Sequence, residues 1–186
     1  MSAIVVVSGP PRSGTSLMMN MLEAAGLPLL VDGVRAADEH NPRGYFEYAR
    51  VKALPRDNTW LAAAQGRAVK VVYPLLQYLP PGFDYRVLFM ERAGEEVIRS
   101  QNSMLRRMGA VALADEDVAE SARVLSAELH EARASSAGRA VLPVSYRALM
   151  EDPLPLLREV CEFLGLPDRS LLMAARIEPA LYRASP

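Results

Sequence analysis

The chain has 186 residues, of which 51% are apolar and 23% charged, so it is long enough and apolar enough to bury a core. Its 21 basic and 22 acidic residues argue against a general nucleic-acid or membrane-surface binder, because phosphate contacts need a basic excess. The one cysteine, Cys161, excludes an internal disulfide, and its place in an apolar helical stripe predicts a buried thiol. We predict a single cytoplasmic domain over residues 1–186, with no nucleic-acid or membrane partner and no membrane-spanning segment.

Strands and helices are predicted to alternate along the chain. Continuous β-branched or apolar runs predict strands at 3–7, 68–72, 86–90 and 140–144, and 29–31 fits a further short strand. Apolar residues at helical spacing predict helices over 17–25, 97–108, 118–132 and 153–164, whereas 45–65 has only a broken helical pattern. This alternation predicts an α/β fold, a mostly parallel sheet of four to five strands with helices on both faces. Ligands of such sheets bind beyond the carboxyl ends of the strands.

A glycine-rich turn joins the first strand to the first helix, with the sequence Gly9-Pro10-Pro11-Arg12-Ser13-Gly14-Thr15-Ser16. Glycines let backbone N–H groups converge, and the helix N-terminus adds positive potential, so the turn is predicted to hold a phosphate-like anion. A Walker A loop has Lys directly before the Ser/Thr, but Thr15 stands there and the cation is Arg12. The strand at 86–90 is followed by Glu91 rather than the Asp of a magnesium-holding strand. Both departures weaken the interpretation of this loop as that of a P-loop kinase or NTPase, which is kept as the alternative to the function considered next.

Three segments resemble the sulfotransferases that use 3′-phosphoadenosine 5′-phosphosulfate. Arg12–Ser16 fits the family's [KR]-[ST]-G-[ST]-[ST] loop. Arg92, with Ser100 eight residues later, resembles the family's 3′-phosphate pair, although Ala93-Gly94 replace the usual Asp/Asn-Pro. Residues 144–167 resemble its Tyr-Glu-Asp-Leu, Asp-Pro and Phe-Leu-Gly segments. Because these matches occur in order at the start, middle and end of the chain, the sequence is identified as similar to a bacterial-type sulfotransferase.

This resemblance implies a P-loop nucleotide-binding fold with 3′-phosphoadenosine 5′-phosphosulfate as donor and no metal. Arg12 would lie near the bridging oxygen, Arg92 and Ser100 would bind the 3′-phosphate, and Tyr146 would lie beside the adenine. The 5′-phosphosulfate would be held by the loop residues Pro11, Arg12, Ser13, Gly14, Thr15 and Ser16. The implied reaction moves a sulfonate group to a hydroxyl or amine of a small-molecule or metabolite acceptor. Residues 32–66, with 109–117, are the predicted acceptor-binding segments.

The catalytic base does not follow the cytosolic members' Lys-x-His pattern on the second strand. Lys70 fits the lysine, which supplies a transition-state cation, but Val72 stands at the histidine position. Residues 39–47 resemble the Asn-Pro-x-Gly-x-x-Glu segment of many bacterial sulfotransferases, which makes Glu47 the predicted base and His40 the second choice. The flexibility of Gly44 would let this turn bring Glu47 near Lys70. Val72, and the lack of the family's Arg-x-Gly segment near the C-terminus, leave a non-catalytic nucleotide-binding relative as the third possibility.

Overall fold

The structure, a computed structural model, describes residues 2–34, 44–134 and 138–178. Its strands are β1 (Ile4–Ser8), β2 (Ala68–Lys70), β3 (Tyr85–Glu91) and β4 (Ala140–Ser145). Its helices are α1 (Thr15–Ala24), α2 (Leu61–Ala64), α3 (Gly94–Arg107), α4 (Val118–Ala134), α5 (Tyr146–Glu151), α6 (Pro153–Leu164) and α7 (Ser170–Ala174). Short 3-10 helices cover Ala49–Ala53, Tyr73–Tyr78 and Asp115–Asp117.

The described strands form one parallel sheet in the order β2-β1-β3-β4. In the centre, Val6 of β1 pairs with Val69 of β2 on one side and with Val87 of β3 on the other. The chain therefore winds outward from β1 in two directions, which opens a crevice at the carboxyl ends of β1 and β3. The predicted α/β architecture with a mostly parallel sheet is confirmed, with four strands among the described residues.

The sheet separates two hydrophobic cores because successive side chains of a strand point to opposite faces. Val5 and Val7 face a core formed with α1, α6 and α7, whereas Ile4 and Val6 face a core that includes Trp60. All five residues of β1 are buried, which explains its uninterrupted apolar run. The predicted buried thiol is confirmed, since Cys161 is 2% exposed in the first core. None of the helices in the described ranges is long and apolar enough to cross a membrane.

Two strand predictions were wrong in extent. The segment 29–31 forms only a single bridge, between Leu29 and Ala68, and β2 ends at Lys70 rather than at residue 72. The Val71 N–H still donates to the Val7 carbonyl at 3.0 Å. Since β1 ends at Ser8 and the backbone then turns at Gly9, no strand in the described ranges pairs with Val72.

Candidate active site

The turn between β1 and α1 lies at the crevice, and close packing and internal hydrogen bonds hold its backbone conformation. Gly9 has φ 141°, and a Cβ there would lie 2.7 Å from the Met90 carbonyl oxygen. Ser13 is fully buried, and its hydroxyl and N–H donate to the Pro10 carbonyl at 2.7 and 3.2 Å. Gly14 precedes α1 with φ 95°. The loop is thus held in shape by its own contacts, and the N–H groups of the first turn of α1 have no carbonyl acceptor within the helix.

Arg92 lies at the β3 side of this loop, one residue after the strand ends. Its Nη1 donates to the Arg12 carbonyl at 2.9 Å, and its Nε donates to Glu96 Oε2 at 3.0 Å. Its guanidinium lies over the ring of Tyr146, with 4.6 Å from Cζ to the ring centroid. The side chain is only 7% exposed. These contacts fix the position of the Arg92 guanidinium beside the glycine-rich loop, where the crevice opens.

Arg12 and Ser100 meet on the same side, although they are 88 positions apart. Arg12 has φ 68°, and its Nε donates to Ser100 Oγ at 3.2 Å. We predicted Arg12 near the bridging oxygen of the donor, and Ser100 near the 3′-phosphate. The structure brings Arg12 to Ser100 and Arg92, so these three residues form one group of donors, named here the β3-side group.

Tyr146 packs against the β3-side group through its contact with Arg92. The residue is 8% exposed at the start of α5, directly after β4. Its ring is so close to Gly14 that a Cβ on that glycine would lie 2.6 Å from Tyr146 Cδ2. One ring therefore contacts both the loop and Arg92. The predicted contact with adenine stays a prediction.

Lys70 and Glu47 form a second group on the β2 side of the loop. Lys70 Nζ lies 3.5 Å from Glu47 Oε1 and 3.5 Å from Ser16 Oγ, and it donates to the Tyr45 carbonyl. The Lys70 side chain is 9% exposed and that of Glu47 is 29% exposed. Lys70, Glu47 and Ser16 are named here the β2-side group. Its members were all predicted site residues, and their chemical roles stay predictions.

The segment that carries Glu47 is fastened to the rest of the molecule by backbone contacts. The Asp32 N–H donates to the Glu47 carbonyl at 3.2 Å, and the Ala49 N–H donates to Asp32 Oδ2. The Ala49 and Val34 N–H groups lower the pKa of Asp32 below its usual value, which keeps this acceptor charged. Phe46 has φ 51°, a left-handed conformation that is uncommon for a side chain of its kind. These contacts place a carboxylate above the end of β2.

The remaining predicted residues lie around this crevice or outside the described part of the chain. Pro11 is exposed and Thr15 is half-buried at the start of α1. Val72, at the family's histidine position, is 45% exposed. His40 lies outside the described residues, as does much of the segment 39–47 that suggested it. Within residues 2–34, 44–134 and 138–178, no group of three His, Cys, Asp or Glu side chains is placed to hold a metal ion.

Two site features were not predicted from the sequence. Glu96 neutralises Arg92, and the Tyr45 carbonyl accepts hydrogen bonds from both Lys70 and Ser16. The ion pair of Arg92 with Glu96 could have been predicted, because an acidic residue four positions after an arginine at the start of a helix is well placed to contact it. The contacts of the Tyr45 carbonyl could not, since a backbone carbonyl has no signature in a sequence.

The parallel sheet, the glycine loop at its switch point and the two flanking groups define a P-loop-like α/β fold. Solved sulfotransferase structures share it. The sulfotransferase domain of the Synechococcus PCC 7002 olefin synthase is similar with a TM-score of 0.54 and 17% identity, over 97% of this chain and 86% of that domain. The sulfotransferase domain from the curacin biosynthetic pathway gives 0.51 and 15%, over 97% and 77%. A sulfotransferase from Alicyclobacillus acidocaldarius gives 0.51 and 14%, over 97% and 88%.

No protein-family model matches the sequence, and no curated protein matches it significantly. At identities of 14 to 17%, the similarity to these solved structures concerns the fold. It confirms, at that level, the resemblance to bacterial sulfotransferases that the ordered sequence motifs predicted.

Proposed function

We propose that this chain is a sulfotransferase that moves a sulfonate group from 3′-phosphoadenosine 5′-phosphosulfate to a hydroxyl or amine of a small-molecule acceptor. The observation that carries the proposal is the pair of groups flanking the phosphate-type loop. One side offers Arg12, Arg92 and Ser100, and the other offers Lys70 beside the carboxylate of Glu47. A donor with a 3′-phosphate at one end and a sulfonyl group at the other needs cations at two places, and these two groups supply a candidate for each.

The residues present fit such a donor without a metal. Backbone N–H groups at the start of α1 and the hydroxyls of Thr15 and Ser16 suit a 5′-phosphosulfate. Arg92 suits a 3′-phosphate because its planar guanidinium donates in a fork that matches phosphate oxygens. Lys70, nearly buried and 3.5 Å from Ser16, suits the sulfonyl oxygens on the other side of the loop.

In the proposed reaction, the acceptor oxygen or nitrogen bonds to sulfur while the bond from sulfur to the bridging phosphate oxygen breaks. Glu47 Oε1 accepts the proton that the acceptor loses, and adenosine 3′,5′-bisphosphate leaves with the bond's electron pair. Lys70 stabilises the charge on the sulfonyl oxygens, and the loop amides with Arg12 stabilise the leaving phosphate. Glu47 Oε1 and Lys70 Nζ lie 3.5 Å apart, so the proposed catalysis rests on the positioning of the acceptor and the donor and on electrostatic stabilisation of the transition state.

The acceptor would enter on the Glu47 side, through the segment 32–66. Val34 of this segment is 77% exposed, and Val72, two residues after Lys70, is 45% exposed, so each offers an apolar side chain to an acceptor. We therefore extend the proposal to a single domain over 1–186 in which 32–66 contributes the acceptor contacts.

The kinase or NTPase alternative has less support. Its metal ligand on β3 would be Glu91, but that carboxylate accepts a hydrogen bond from Arg133 of α4 in an ion pair. The lysine of a Walker A loop is also replaced by Thr15. A non-catalytic relative that only binds nucleotide is distinguished by the transfer assay below.

Two measurements test the proposed function. Thermal shift should show stabilisation by adenosine 3′,5′-bisphosphate without metal, and a weaker effect of ATP with Mg²⁺. Transfer from donor labelled in the sulfonate group to a panel of hydroxyl and amine acceptors should then give labelled product. Preference for ATP with Mg²⁺ would favour the kinase or NTPase, and tight bisphosphate binding with no transfer to any acceptor would favour the non-catalytic relative.

A further inference from the structure

Arg92 is nearly buried, and its partners divide its five N–H donors unevenly. Nε donates to Glu96, and one N–H of Nη1 donates to the Arg12 carbonyl. Among the described contacts, this leaves the second N–H of Nη1 and both on Nη2 for a ligand. The ring of Tyr146 covers one face of the guanidinium and sets its plane. The remaining freedom is rotation within that plane, and it is restrained at two points, by the Nη1 contact with the Arg12 carbonyl and by the Nε contact with Glu96.

Glu96 has the geometry to provide that restraint. It lies in the first turn of α3, four residues after Arg92, and its Oε2 is 3.0 Å from Nε. A carboxylate is favourable in a first helical turn, so the same helix that begins after β3 presents this acceptor to the arginine. Its neighbour Glu95, in the same turn, pairs instead with exposed Arg99 at 3.0 Å. The two acidic residues therefore differ in partner, although they share a helix turn and a charge.

We propose that Glu96 is a positioning residue that selects for the 3′-phosphate by directing the Nη2 edge of Arg92 toward it. This inference rests on the proposed function, because it assumes a 3′-phosphorylated nucleotide at Arg92. The carboxylate has two opposing effects on such a ligand. It orients the donors, which favours binding, and its negative charge lies one side chain away from the phosphate, which opposes binding. Substitution by Gln removes the charge and keeps an acceptor oxygen, whereas substitution by Ala removes both.

The experiment measures the affinity of the full chain for adenosine 3′,5′-bisphosphate and for adenosine 5′-monophosphate by calorimetry, without metal. The selectivity is the ratio of the two dissociation constants. We expect Glu96→Gln to keep or raise the selectivity of the unmodified protein, and Glu96→Ala to fall about tenfold below Glu96→Gln, the size of one charge-assisted hydrogen bond. Glu95→Ala, which removes the same charge from the same turn, should leave the selectivity unchanged.

Equal selectivity in Glu96→Ala and Glu96→Gln would overturn the positioning role while leaving the proposed function intact. An unmodified protein with no preference for the bisphosphate over the monophosphate would overturn both. Melting temperatures of the three variants show whether each is folded, and because selectivity compares two ligands on one variant, a uniform loss of stability does not mimic the expected result.

Discussion

Lys70 Nζ and Glu47 Oε1 lie 3.5 Å apart. Lys70 ends the three-residue strand β2, and Glu47 lies on a segment with no regular secondary structure. The lysine side chain is 9% exposed. A nearly buried cation needs a counter-charge, and Glu47 supplies one. It also places a proton acceptor beside the group that would bind the sulfonyl oxygens.

Glu47→Gln should bind adenosine 3′,5′-bisphosphate as the unmodified protein does and lose most of its turnover. Glutamine has nearly the same shape but cannot take the acceptor's proton, so a loss of about 100-fold in kcat is expected. The measurement is calorimetric binding together with the labelled transfer assay. Glu151→Gln, at an exposed ion pair with Arg147, is the matched control. Full activity of Glu47→Gln with an inactive His40→Ala would assign the base to the histidine instead.

Lys70→Ala should lower kcat at least as steeply as kcat/KM, by about 100-fold, because the cation would act where charge develops in the transition state. The control is Arg123→Ala, which removes a cation that is 78% exposed on α4, outside the proposed site. Steady-state kinetics with a chosen acceptor check this. A rise in KM alone would mean that Lys70 binds the donor and its transition state equally.

Arg92→Ala should weaken adenosine 3′,5′-bisphosphate far more than adenosine 5′-monophosphate, since only the former has a phosphate for this guanidinium. A loss of about 100-fold for the bisphosphate is expected from one bidentate contact. Arg99→Ala, which removes an exposed arginine of the same helix, is the control. Equal losses for both nucleotides would show that Arg92 does not recognise the 3′-phosphate.

Gly14→Ala should destabilise the fold more than Gly26→Ala, although both glycines flank α1 at positive φ, 95° and 89°. The backbone strain alone costs about 1 to 3 kcal/mol for a residue with a Cβ. At Gly26 nothing lies within 4 Å of that Cβ, whereas at Gly14 it would lie 2.6 Å from Tyr146 Cδ2. Denaturant unfolding of the two variants measures the difference, and equal losses would show that Tyr146 yields without cost.

Alkaline pH should destabilise the fold in part through Tyr73. Burial raises the pKa of Tyr73 to about 12, and donation to the Glu128 carboxylate adds to the effect. The neutral phenol is thus favoured in the folded state, so its contribution is fully present below the unfolded pKa of about 10 and is lost as pH rises towards 12. Tyr73→Phe should flatten the fall in unfolding free energy over that interval. An unchanged slope would contradict the assignment.

Local sequence patterns determined much of this molecule. Apolar runs predicted β1, β3 and β4 to within a residue or two, and the run is longest where β1, between two neighbouring strands, is buried along its whole length. The helix α6 was predicted from Pro153 to Leu164, since proline favours the first helical turn and Gly165 ends the helix in a left-handed conformation. The glycine spacing of the loop likewise follows from backbone conformations that only glycine adopts easily.

The tertiary structure decided how distant residues meet. Strand order placed β3 beside β1, and only this brings Arg92 to the carbonyl of Arg12 and Arg12 to Ser100. The resemblance named each of these residues, and the role that it gave to Arg12 stays a prediction. The end of β2 at Lys70 depended on where its neighbour β1 turns away. Propensity is a property of neighbours along the chain, whereas strand pairing and side-chain contacts are set by crossovers between distant elements. Local patterns therefore predicted the loop, the family resemblance named the residues around it, and only the tertiary structure decided which of their atoms meet.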